Sequence, residues 1–101
     1  MITHIVMWKL KEEAEGKTKQ ENAAEIKRRL ESLVGVIEEI KSLRVGININ
    51  DTDEAAYDAC LVSEFESMEA LARYQVHPEH KKVSAFVKEV RVARTAVDFE
   101  S

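Results

Sequence analysis

Residues 2–10, Ile-Thr-His-Ile-Val-Met-Trp-Lys-Leu, alternate like a strand, yet both of their phases are apolar. Ile2, Val6, Trp8 and Leu10 point one way with His4, while Ile5 and Met7 point the other. Such a strand needs cover on both faces. Residues 57–65 repeat the pattern, with Tyr57, Ala59, Leu61 and Phe65 set against Cys60 and Val62. A last strand at 91–99 carries Val92, Ala93, Ala96, Val97 and Phe99. A chain of 101 residues is long enough for one domain, 1–101, with one core. Its helices can cover only one side of a sheet, so the other side has to meet something else.

The intervening segments supply the helices. Thr18-Lys19-Gln20-Glu21 matches a capping box, with Thr18 as N-cap and Glu21 reaching back. Ala23, Ile26, Leu30, Leu33 and Val34 follow at helical spacing, and Gly35 is placed to end that helix. Residues 40–49 then alternate, with Leu43, Val45, Ile47 and Ile49 on one face. Asn50-Asp51-Thr52-Asp53 is turn chemistry. Ser67 can cap a short helix carrying Met68, Leu71 and Ala72 inward. The chain breaks at His77-Pro78, because proline disfavours a helical predecessor but is welcome at the first helical position. His77 therefore reads as the N-cap of a further helix with Val83, Phe86, Val87 and Val90 inward.

The order is β-α-β-β-α-β with the second helical stretch split. That predicts an α+β, ferredoxin-like protomer: a four-stranded antiparallel sheet with its helices on one face. Periodicity alone does not say which strand phase meets the helices. A bare second face would be an unusually large apolar patch. The economical partner is a second copy, a homodimer through the sheet face that buries Ile5 and Met7.

Charge and composition close off other classes. The net charge of −4 argues against nucleic acid, and Lys27, Arg28 and Arg29 are interleaved with Glu25 and Glu31 as on a mixed-sign helix surface. No apolar run approaches the roughly 18 to 20 residues that span a bilayer. The opening residues lack the basic region and small-residue site of a signal peptide. A single cysteine, Cys60, allows no intrachain disulfide and reads as a buried, inert thiol. The cytoplasm is the expected compartment.

Chemistry concentrates in Tyr74-Gln75-Val76-His77-Pro78-Glu79-His80, which holds two of the three histidines and the only proline. Imidazole exchanges protons near neutral pH without help from its surroundings. His80 precedes Val83 by three residues and Val87 by seven, so it shares their inward stripe. Burial there favours the neutral ring, the form that acts as a base. Tyr74 follows Leu71 by three, which sends its ring inward while its hydroxyl seeks a polar group. Metal is a weak reading, since His77 and His80 straddle a helix start and no cysteine or inward carboxylate joins them. Asp58, Glu64 and Asp98 sit in strands and receive no role at this level. Gly16, Gly35 and Gly46 stand alone, so there is no phosphate loop, and no Ser-His-Asp triad is recognisable.

His4-Ile5-Val6 with Lys9-Leu10-Lys11, the strand end Glu64-Phe65-Glu66-Ser67, and Tyr74-x-x-His77-Pro78-x-His80 together resemble the stress-responsive α/β-barrel domain family, over essentially the whole chain. The resemblance implies ferredoxin-like protomers paired into a dimeric α+β barrel. Most such proteins have no established activity. A few plant relatives are polyketide cyclases, in which an early strand histidine, a tyrosine and the second histidine of His-Pro-x-His line the pocket. The matching positions are His4, Tyr74 and His80.

Two functions are then expected. One is a stress-response dimer binding a small hydrophobic ligand in a sheet–helix pocket. The other is a cofactor-independent enzyme, with cyclase-like aldol or lyase chemistry or monooxygenation. In it His80 is the base, Tyr74 hydrogen-bonds substrate or base, and His4 polarises a carbonyl or orients His80. A purely structural oligomer, with capping and filling histidines, is the bland third.

Overall fold

The computed structural model describes residues 1–50 and 52–101; the Asp51 part of the expected turn lies outside them. The elements run β1 (Ile2–Leu10), β2 (Glu13–Ala14), β3 (Lys17–Thr18), α1 (Lys19–Glu31), β4 (Ser42–Ile47), β5 (Ala59–Phe65), α2 (Met68–Val76), α3 (Pro78–Val90) and β6 (Arg91–Glu100). The main sheet has the order β4-β5-β1-β6 with every neighbouring pair antiparallel. This is the ferredoxin-like α+β arrangement. The first and last strands lie side by side at the sheet's centre and edge.

The helices take the even phase of β1. Val6, Trp8 and Leu10 are buried there with His4, and Ala59, Leu61 and Phe65 join them from β5. Ile26 and Leu30 of α1, Leu71 and Tyr74 of α2, and Val83, Val87 and Val90 of α3 complete the layer. Arg29 of α1 stacks its guanidinium 4.0 Å from the centroid of Phe86 on α3, tying the two helices. The opposite face is open. Ile5, Cys60 and Val62 are only half-buried, and Met7, Val97 and Phe99 are exposed. Within one protomer β1 is therefore covered on one face only, as expected of a sheet with its helices on one side.

Several boundaries move for local reasons. The capping box is present in full: the Glu21 N–H donates to Thr18 Oγ1 at 3.2 Å, and the Thr18 N–H donates to the Glu21 carboxylate at 3.0 Å. At the other end α1 stops at Glu31, not at Gly35. The Leu33 N–H turns to the Leu30 carbonyl and the Ile37 N–H to the Leu33 carbonyl, a tight wind that buries Leu33 and Ile37 and leaves Val34 exposed. Gly35, with φ +85, serves that turn. β4 ends at Ile47, so Ile49 shares no face and is 97% exposed. Tyr57 precedes β5 and is half-buried. The β2–β3 hairpin was not expected. Its two-residue turn puts Glu15 and Gly16 at φ 53 and 73, and buried Asn22 anchors it by donating to the Ala14 carbonyl at 3.0 Å.

Thr18→Ala removes the Oγ1 acceptor at the start of α1 and lowers stability by about 1 kcal/mol. Urea unfolding at fixed protein concentration measures it, and an unchanged midpoint would mean that the cap contributes nothing.

Candidate functional site

The break between α2 and α3 builds one side of the site. Pro78 has no N–H, and the His77 N–H turns back to the Tyr74 carbonyl at 3.2 Å. His77 caps α3 as expected: its Nδ1 accepts the Glu79 N–H at 3.1 Å. In an unbroken helix that N–H would go to the Gln75 carbonyl. The carbonyl is instead left to His80, whose Nδ1–H donates to it at 3.1 Å. One proline thus fixes the His80 tautomer and leaves Nε2 as the ring's acceptor.

Tyr74 is fully buried one turn before the break. Its ring lies 4.4 Å from that of His80, 4.9 Å from Phe65 and 6.5 Å from His4, centroid to centroid. The hydroxyl was expected to reach a polar group. Among the described residues it finds no hydrogen-bond partner. Burial pushes the phenol far above its ordinary pKa, so it can offer a proton in a hydrogen bond but does not ionise.

His4 is 3% exposed on β1. Its Nδ1 donates to the carboxylate of Asp98, its cross-strand partner on β6. Asp98 is the polar residue that the sequence reading left without a role. The signal was available: pairing the first strand antiparallel with the last, in phase, sets an acid opposite the one strand histidine. Asp58, also unassigned, is structural, accepting the Leu10 N–H at 2.7 Å. Glu64 accepts the Ser42 hydroxyl at 2.7 Å.

His4 and His80 meet in a cavity of about 270 Å³ between sheet and helices, walled by Val6, Trp8, Leu61, Val83 and Val87. Tyr74 lies behind His80 and is not part of the wall. So the three rings cluster, with His4 bridged to His80 through Tyr74. The task of orienting His80 falls to the Gln75 carbonyl, and His4 is held by Asp98. Among the described residues no three His, Cys, Asp or Glu side chains converge as metal ligands, and His77 Nδ1 is taken up by its cap. No described helix is long and apolar enough to cross a membrane.

Desolvation pushes His80 below its ordinary pKa, against the pull of the Gln75 carbonyl, and the positive charge of Arg94 acts in the same direction as burial. The folded protein therefore prefers the neutral ring. Its contribution to stability is complete above the unfolded value of 6.5 and is lost as pH falls through the lower folded value. Unfolding free energy should decline on acidification from there, and His80→Gln should flatten the decline. In NMR titrations the His80 ring should move at a pH below 6.5; a midpoint above that would reverse the sign.

Solved structures and families place this geometry. A dimeric protein of unknown function with a ferredoxin-like fold from Bacteroides fragilis is 28% identical, with a TM-score of 0.85 over 99% of this chain and 95% of that one. A dimeric ferredoxin-like protein of unknown function from Thermobifida fusca is 23% identical, with a TM-score of 0.82 over 99% and 90%. The hydroxynitrile lyase of Passiflora edulis shares the fold at 15% identity, with a TM-score of 0.76 over 97% and 90%. No curated protein matches the sequence. The family model for the stress responsive A/B barrel domain matches residues 2–101, and the chain belongs to that family.

Proposed function

We propose that this protein works as a homodimer, paired through the open sheet face, and holds a small, largely apolar ligand in the cavity between sheet and helices. The observation that carries the reading is that the cavity sets two imidazoles beside an apolar wall of Val6, Trp8, Leu30, Leu61, Val83 and Val87. A concave apolar site with a few convergent polar groups is the usual form of a ligand pocket. Pairing is supported by Met7, Val97 and Phe99, which stand exposed around half-buried Ile5 and Val62, and by the Bacteroides fragilis relative, described as dimeric.

The neutral dye N-phenyl-1-naphthylamine should brighten on binding the wild-type protein. Ser84→Trp, which puts a bulky ring on the cavity wall, should abolish the signal. Equal fluorescence from both would remove the cavity as the site. Light scattering at micromolar concentration should give twice the chain mass, and the double change Met7→Glu, Val97→Glu should halve it. A wild-type monomer would contradict the paired sheet.

The Tyr74 hydroxyl and His80 Nε2, both without a hydrogen-bond partner among the described residues, favour a second reading, in which the dimer is a cofactor-independent acid/base enzyme. His80 would take a proton from the carbon next to a carbonyl, Tyr74, packed behind its ring, would steady the base, and His4, fixed by Asp98, would polarise the carbonyl. General base help of this kind is worth about 10² to 10⁴ in rate. Deuterium exchange into heptan-4-one should be faster with the protein than in buffer. His80→Ala should abolish the acceleration while dye binding persists. No acceleration by the wild type would leave a binder without turnover.

A further inference from the structure

The cavity is not uniformly apolar. Lys88, Arg91 and Arg94 line it on the same side of the molecule, from the last turn of α3 and the first residues of β6. Lys88 and Arg94 are exposed and Arg91 is half-buried, so the three stand at its rim. Among the described residues no aspartate or glutamate lines this cavity. Seven cations elsewhere, Lys19, Lys27, Arg28, Arg29, Lys41, Arg73 and Lys82, sit in ion pairs with described carboxylates, and none of the rim three does. In a chain where acids outnumber bases 19 to 15, three cations around one cavity whose described lining has no acid are a specific arrangement.

We infer that the ligand carries a carboxylate, held at the rim by Arg91, Arg94 and Lys88 while its apolar body lies against Val6, Trp8 and Leu61. The inference rests on the cavity being a ligand site and adds the charge of what enters it. Guanidinium groups meet a carboxylate with two parallel hydrogen bonds, which suits a single flat anion. A phosphate fits less well. These cations stand at the C-terminal end of α3, whose negative dipole end opposes a dianion more strongly than a monoanion.

Trp8, the only tryptophan, lines the cavity and reports its occupancy by fluorescence. Octanoate and octan-1-ol share an apolar chain and differ in the end group. Titrated into the intact protein at low salt and above neutral pH, octanoate should bind about tenfold more tightly than octanol. Added salt should narrow the gap. The double change Arg91→Gln, Arg94→Gln should bring octanoate down to the octanol value and leave octanol binding unaltered, which also verifies that the variant is folded. Equal binding of both probes by the wild type, or a preference that survives in the variant, would overturn the inference while leaving the cavity as a ligand site. No Trp8 response to either probe would overturn both.

Discussion

A single missing hydrogen-bond donor organises this molecule. Pro78 cannot extend α2, so the chain turns at His77, and the carbonyl of Gln75 is released from the helical ladder. An orphaned carbonyl next to a buried layer has to be satisfied. His80 satisfies it and in doing so loses the freedom of its ring. The same break turns α3 so that Val83, Val87 and Val90 land on the sheet. Fold and site thus share one cause.

The second histidine is held in a different way. His4 lies on β1, and its partner Asp98 comes from the far end of the chain, on β6. The ferredoxin-like order makes those strands neighbours although 94 residues separate the pair. One imidazole is therefore held by a local backbone irregularity and the other by sheet topology. Between them stands Tyr74, whose hydroxyl is one of two buried side-chain polar atoms, with Asn22 Oδ1, left without a partner among the described residues. Such a group ordinarily costs about 1–3 kcal/mol. The energy of packing Tyr74 between Phe65 and His80 offsets that cost.

Much of this was legible because it depends on short-range chemistry. Thr18 and His77 cap as their spacing predicts, and the helical stretch divides at Pro78 because a ring nitrogen has no hydrogen in any fold. The element order and the inward course of His80 follow from periodicity. The rest depended on contacts that no local window contains. α1 ends before Gly35 because Leu33 and Ile37 are drawn under the sheet by tight turns. Asp98 could be given a purpose only once β6 was laid against β1. The cations at the rim look like ordinary surface residues until the last turn of α3 and the start of β6 are seen to share one opening.

α3 ends at Val90 and β6 begins at Arg91, with no connecting residue. The Lys11 N–H is bonded to the Val90 carbonyl at 2.9 Å, and the ladder slips register between Lys9 and Leu10 at the same level. A helix joined to a strand without slack behaves as one bent lever. The outer strand that continues from α3 carries Asp98 towards the helices and Val97 and Phe99 towards the open face. The wall of the cavity and the open face of the sheet are thus built on one continuous piece of chain.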